Sequence, residues 1–402
     1  MDVEVVIGAN YGDEGKGLFT EHLCRIKSSP IVVLSNGGCQ RGHTVNNIEK
    51  GIRHIFHHFG SGTIIGIPTV FSKTFLLNPI KFIEEKRELE NENIHPVAFR
   101  ASGCLLQLPG DMLVNQATEK ARGLGKHGSC GWGIWETKVR NQQHHMLTFD
   151  EFESFDYAKK KATYLDCLEW QLCNRLHGIY KLHYVKELMY MKEEGFIKHF
   201  IQDFEEMSKD VKSVGTHDLV DVGWEKFLHK DINTLVVENG QGLLLDSEYA
   251  PKDENGFTTI HATPSRCGLA GALEAVGKTI CNDNIVANYV TRTYFTRHGA
   301  GPFPEETLNL EYDDKTNMPN DYQDCIKFGI MTDVYAEKLI KRVEHDAFDG
   351  VCKANKLNIV ATHCNEAMLP SILKHKCTCM SYEDDSRKVV RNEQIPEDED
   401  IH

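Results

Sequence analysis

Short runs of consecutive apolar, β-branched residues alternate with glycine-rich polar turns along this chain. The first run, VEVVIGA at residues 3–9, passes through YGDEGKG into LFTEHLCRI. An unbroken apolar run flanked by turn residues predicts a strand buried on both faces, and the helical spacing after it predicts a helix. The same grammar returns at Ile31–Leu34, followed by SNGGCQRGHTV, and again in the runs at 234–246, 284–299 and 357–367. Repeated units of this kind predict an α/β fold with a mostly parallel central sheet flanked by helices. Ligands of such sheets bind at the carboxyl edge, where the polar loops lie. Between 150 and 230 the pattern changes: FDEFESFDYAKKKATYLDCLEWQL and YVKELMYMKEEGFIKHFIQDFEEM space their apolar residues helically and carry charged faces. This predicts a helical insertion packed on the sheet. The expected organisation is one large catalytic domain over 1–392 that includes the insertion, then an acidic tail, 393–402.

Charge narrows the function. The 402 residues hold 45 Lys and Arg against 59 Asp and Glu, a net charge of −14. A protein that tracks nucleic acid needs a basic face, so no nucleic-acid partner is expected. No apolar run approaches the roughly 18 residues of a membrane span, and the start MDVEVVIG lacks a basic leader. The thirteen cysteines, an odd number, suit free thiols in a reducing compartment, so the expectation is a cytoplasmic protein with no membrane partner. Small anionic substrates fit this balance.

The chemistry concentrates in two loops. GANYGDEGKG (8–17) is not a Walker A loop, because Asn10 and Gly17 stand where that pattern is occupied differently. Gly12, Gly15 and Gly17 still let backbone N–H groups approach an anion at a helix start, and Lys16 adds a point charge for phosphate. Asp13 is the unexpected member. A carboxylate beside a phosphate cradle calls for a cation between them, for work as a base, or for both, which points to Mg²⁺ and proton abstraction. The second loop, NGGCQRGHTV (36–45), adds His43, suited to stabilising phosphoryl charge.

Four motifs in order, YGDEGKG (11–17), GGCQRGHTV (37–45), VENGQGLLLD (237–246) and TRHGAGPFPEE (296–306), resemble those of the adenylosuccinate synthetase family. The family writes them GDEGKGK, GGxNAGHTV, FEGAQGxxLD and TRVGxGPFPTE. The resemblance implies a homodimeric, Mg²⁺-dependent ligase with a fold related to P-loop NTPases. Such a ligase joins L-aspartate to C6 of an IMP-like nucleoside monophosphate while a purine triphosphate is split. It implies Asp13 as the base that removes the purine N1 proton and binds Mg²⁺, Gly42 as a carbonyl ligand of the metal, and His43 as the acid at the phosphoryl group. Lys16 and Gln241 complete the implied catalytic set. Nucleotide contacts are implied for Gly12, Gly15, Gly17, Gln40, Thr44, Ser129, Cys130, Arg140, Thr263, Thr362 and Asn365. Aspartate contacts are implied for Arg297, Gly299, Gly301 and Pro302.

The departures fall at positions expected to set specificity. Gln40 replaces an Asn and Arg41 a small residue, Cys130 in SCGWGIW takes a threonine position, and Arg140 aligns with an arginine that reaches across the family's dimer. Asn365 in THCN replaces the Asp that reads guanine. An amide offers one acceptor and a donor where the carboxylate offers two acceptors, so ATP or dATP is expected to serve at least as well as GTP. The segment NDYQDCIKFGIMTD (320–333) resembles a branch that includes viral 2-aminoadenylosuccinate synthetases, which makes (d)GMP the alternative to IMP or dIMP. An inactive nucleotide-binding relative would be expected to have lost one of Asp13, Lys16, His43 or Gln241, and all four are present.

Overall fold

The computed structural model describes residues 1–176, 182–250, 252, 261–277, 284–303, 326–350, 353–365 and 368–392. Its strands, in chain order, are β1 (Asp2–Gly8), β2 (Pro30–Leu34), β3 (His43–Asn47), β4 (Ile52–Phe56), β5 (Thr69–Phe71), β6 (Ala98–Arg100), β7 (Val211–Ser213), β8 (Thr234–Gly242), β9 (Asn284–Thr291), β10 (Tyr294–His298), β11 (Ile326–Ile330), β12 (Lys356–Ala361), β13 (Cys379–Met380) and β14 (Val390–Arg391). Among the described residues a ten-stranded sheet runs in the order β14-β13-β12-β9-β1-β8-β2-β5-β6-β7, and every pairing but β13 with β14 is parallel. Two antiparallel ribbons, β3 with β4 and β10 with β11, stand apart from it.

The apolar runs form the centre of this sheet because helices cover both of its faces. Val3, Val5, Val6 and Ile7 of β1 are all fully buried, as are Leu235, Val236 and Val237 of β8. Each such side chain contributes roughly 1.5–3 kcal/mol, which holds β1, β2 and β8 together as a rigid platform. The helix α1 (Lys16–Ile26) then buries Leu18, Phe19 and Leu23.

The sheet departs from the expected pattern in two places. The run 284–299 is two strands, β9 in the main sheet and β10 in a ribbon, because the chain turns at Arg292 and Thr293, both buried polar residues. Within the predicted helical insertion, helices do occupy Phe149–Ser154, Tyr157–Asn174, Leu182–Met191 and Glu194–Asp210, but Val211–Ser213 pairs with β6 as the sheet's edge strand. Three residues are too few to show a strand period. The acidic tail, 393–402, lies outside the described residues. No described helix is long and apolar enough to cross a membrane.

Candidate active site

The first loop leaves β1 at the carboxyl edge and is shaped from within by Glu14. Its side chain turns under the loop, where Oε1 accepts from the backbone N–H of Asn10 (3.1 Å) and of Gly12 (2.8 Å). Burial pushes its carboxyl pKa up, against the pull of Lys16. Gly12 has φ 108°, and a Cβ there would lie 3.0 Å from the backbone carbon of Gln241, so only glycine fits. That close approach is made by a bulge in β8. Val6 pairs with Glu238 but Gly8 pairs with Gly242, and Gln241 sits in the left-handed region at φ 68°. Lys16 opens α1 with its ammonium buried, 2.5 Å from the Gly12 carbonyl, and burial lowers its pKa. The oxygen of Asp13 that has no aligned hydrogen-bond donor, Oδ2, lies 3.2 Å from Nε2 of His298.

The second loop delivers His43 to the same place. A Cβ on Gly17 would lie 3.0 Å from the Thr44 carbonyl oxygen and 3.1 Å from the His43 Cβ, so glycine lets α1 touch β3. His43 Nδ1 turns inward onto Glu238 Oε1. Glu238 also accepts from the Ser61 N–H at 3.0 Å and from the Ser61 hydroxyl. Arg41, itself buried, donates to the Glu238 carbonyl at 3.1 Å, and its Nη2 lies 3.2 Å from His43 Nδ1. Burial opposes the charge on Glu238, but Arg41 and His43 outweigh it and lower its pKa to about 2. Burial and Arg41 lower the pKa of His43. The stable arrangement is a carboxylate beside a neutral imidazole that carries its proton on Nδ1.

Together these loops line one cleft with Gly12, Asp13, Gly15, Lys16, Gly17, Gly42, His43 and Thr44, joined by Arg292, His363 and Asp384. Eight residues singled out from the sequence therefore meet in one cleft.

The other residues singled out from the sequence lie around this cleft. Thr362, at the end of β12, donates to the Glu14 carbonyl and so supports the first loop. Gln40 folds back on its own loop, where its Oε1 takes the Gly38 N–H at 2.7 Å. Asn365 is exposed after β12, and its N–H donates to Thr293 at 3.4 Å. Thr263 N–H bonds the Leu245 carbonyl at 2.7 Å, beside the β8 bulge. Ser129 accepts from Asn115 at 2.8 Å, and burial pushes the Cys130 thiol up to about 11. The loop that carries them meets the 299–302 turn, since a Cβ on Gly128 would lie 2.5 Å from the Ala300 nitrogen. In that turn Gly299 and Gly301 take φ of 74° and 126°, and Arg297 Nη1 donates to the Pro302 carbonyl at 2.7 Å. Arg140 does not reach out of the subunit. Its guanidinium is buried on Asp111 at 3.0 Å, with further bonds to the carbonyls of Leu106 and His145. Residues 320–325 of the NDYQDC segment lie outside the described residues.

An adenylosuccinate synthetase family profile matches residues 5–325, most of the chain. The chain belongs to the adenylosuccinate synthetase family. Curated adenylosuccinate synthetases from Chromohalobacter salexigens and Synechococcus elongatus are each 29% identical, over 316 and 311 residues, covering 76% and 75% of this chain. The chain spans only 65% and 62% of their lengths, less than two thirds. Two solved structures share the adenylosuccinate synthetase fold with it. Fully ligated adenylosuccinate synthetase from Plasmodium falciparum superposes with a TM-score of 0.63 at 16% identity, covering 90% of this chain and 77% of its own. Cyanophage S-2L succinoaminodeoxyadenylate synthetase, bound to dGMP and to dATP as an energy donor, gives 0.59 at 15% identity and covers 97% and 95%.

Three residues that sequence reasoning passed over complete the site. Glu238 had a signal, since it is a charge inside the apolar run TLVVEN. Glu14 had only its place in the loop. His298 stands where the family motif has Val, but nothing local shows that it approaches Asp13.

Proposed function

We propose that this chain is a ligase that joins L-aspartate to C6 of a 6-oxopurine nucleoside monophosphate, IMP or dIMP, giving adenylosuccinate. A purine triphosphate drives it, and the protein works as a cytoplasmic homodimer. Family membership supports the reaction class. The observation that carries the chemistry is the meeting of a carboxylate, an ammonium and an inward-anchored imidazole, Asp13, Lys16 and His43, on one glycine-built cleft.

Asp13 takes the proton from purine N1, which pushes electron density onto the C6 oxygen. That oxygen attacks the γ-phosphorus, and the bond to the diphosphate breaks. Lys16 and the N–H groups of the first loop bind the phosphates, and the His43 ring, which lines the same cleft, faces the transferring group. The aspartate amine then attacks C6. The C6–O bond breaks, phosphate leaves, and the amine loses its proton. The residues present suit Mg²⁺: Asp13 offers a buried hard anionic oxygen with no aligned donor, and Gly42 brings its backbone to the same cleft. Asp13 and the Gly42 carbonyl would hold it, where it supplies positive charge against the phosphoryl oxygens.

A second reading takes (d)GMP as the acceptor with ATP or dATP. It is favoured by Asn365 and by the phage enzyme, which binds dGMP and dATP and aligns with 97% of this chain. The retained Asp13 favours the first reading. Purified protein with L-aspartate and Mg²⁺, crossed over IMP, dIMP, GMP and dGMP against GTP, ATP and dATP, decides between them by product mass. Adenylosuccinate or its deoxy form is expected. Product from (d)GMP alone establishes the second reading, and no product in any combination overturns both.

A further inference from the structure

The proposed reaction needs L-aspartate beside the purine that Asp13 serves, and a dicarboxylate needs positive charge to hold it. Of the residues that the family resemblance implies for aspartate, Arg297 alone carries one, and the structure encloses it. Arg297 is 3% exposed, with the face of Tyr11 4.8 Å from its guanidinium carbon, and its Nη1 donates to the Pro302 carbonyl at 2.7 Å. Gly301 closes in as well, since a Cβ there would collide with Nη2. Tyr11 stacks in turn on Phe303, ring centres 5.8 Å apart, and its hydroxyl reaches the Pro302 carbonyl at 3.4 Å. Arg297 is thus taken up in shaping the 299–302 turn and tying it to the first loop.

A second cation stands opposite it. In the ribbon of β10 and β11, Arg297 pairs directly with Lys327. Residues so paired project from one face of a ribbon, and like charges placed there repel. Lys327 Nζ lies 3.2 Å from the Gly301 carbonyl, next along the chain to the carbonyl that Arg297 holds. Two cations therefore converge on one turn. Carbonyl dipoles offset only part of two full charges, and an anion beside the turn would offset the rest. Lys327 differs from Arg297 in access, because it is only half-buried. The turn also lies where the second substrate is needed. It follows His298, whose Nε2 is 3.2 Å from Asp13 Oδ2, and it touches Tyr11, two residues before that base. Lys327 takes no part in lining the phosphate cleft.

We propose that Lys327 binds a carboxylate of L-aspartate beside the 299–302 turn, and that Arg297 holds the turn in shape without touching the substrate. The proposal rests on the reaction proposed above for the identity of the ligand, so it is tested by binding as well as by turnover. L-aspartate is titrated calorimetrically into purified protein with IMP or GMP present. Lys327→Met should weaken aspartate binding at least about tenfold, the loss expected of one charge-assisted hydrogen bond. It should leave the affinities of the monophosphate and triphosphate within about threefold. Lys327→Arg keeps a cation in place and should stay within about threefold of wild type for aspartate. In turnover, Lys327→Met should raise KM for aspartate by the same factor as it weakens binding, with KM for the triphosphate within about threefold. Aspartate affinity within about twofold of wild type in Lys327→Met would overturn the proposal. So would an equal loss of nucleotide affinity, which a merely structural role would produce. Should Lys327→Met not fold, Lys327→Gln is held to the same criteria. A wild type that binds aspartate without turning over refutes the reaction and leaves this test standing, whereas one that neither binds nor consumes aspartate overturns both.

Discussion

Replacing Glu238 by Gln tests the electrostatic core of the site with almost no change in shape. The carboxylate accepts from the Ser61 N–H at 3.0 Å, from the Ser61 hydroxyl and from His43 Nδ1, and it stands 3.8 Å from a buried Arg41. An amide can meet one side of this set, but its NH₂ then faces a donor on the other. One unsatisfied buried donor costs roughly 1–3 kcal/mol, and leaving a buried guanidinium without its anion costs about 3–5 kcal/mol. The two costs overlap, so a loss of about 3–5 kcal/mol is expected, out of a total stability of roughly 5–15. Urea unfolding of wild type, Glu238→Gln, Arg41→Met and the double variant at neutral pH measures it. In the double variant no charge is left uncompensated, so it should be more stable than the sum of the single losses by about 2 kcal/mol. The pH dependence has a definite sign. The folded pKa of Glu238 lies at about 2, below its ordinary 4.5, so its stabilisation is complete above 4.5 and is lost as pH falls towards 2. A loss under about 1 kcal/mol, or strict additivity with Arg41→Met, would show that the pair does not carry the energy assigned to it.

Three further outcomes are expected. Asp13→Ala and His43→Ala should each lower kcat by at least roughly a hundredfold with folding intact, and near-normal turnover in either would remove its assigned role. Asn365→Asp should shift preference towards GTP, because it restores two acceptors where the amide presents one. Competition between paired triphosphates measures this, and a wild type that prefers GTP tenfold or more would refute the assignment of THCN to base reading. His58, caged by Phe71, Phe75 and Phe82, has its pKa lowered by burial and by Arg41 to about 3, from 6.5. Between those values only the unfolded chain takes up the proton, so stability falls as pH falls. The loss from His58 alone is about 2 kcal/mol at pH 5, and His58→Phe should abolish that part of the slope in urea midpoints at pH 7 and 5.

The elements of this protein were largely legible along the chain, because a strand buried on both faces must be apolar throughout. VEVVIG, PIVVL and TLVVEN could hardly be anything else. The loops were legible too, since Gly12 and Gly15 take backbone conformations that other residues rarely adopt, and Lys16 and His43 stand beside them. Spacing along the chain was enough to set Asp13, Lys16 and His43 at the carboxyl edge of the sheet.

What those residues do there depended on contacts between distant segments. His43 is anchored by Glu238, 195 residues away, because β2 and β1 flank β8 in a fixed register and Glu238 ends the straight part of that strand. The bulge after it brings Gln241 against Gly12. Arg140 has the residue type and approximate position of an arm that reaches across a dimer, yet Asp111 takes its charge inside the subunit. His298 meets Asp13 only because the chain turns at Arg292 and Thr293 and sends β10 away from the sheet. A local pattern records the period and the turns of the backbone. It cannot record which side chains face one another across the fold, because strand register and the packing of separate elements decide that, and with it the protonation and orientation of the groups that would react.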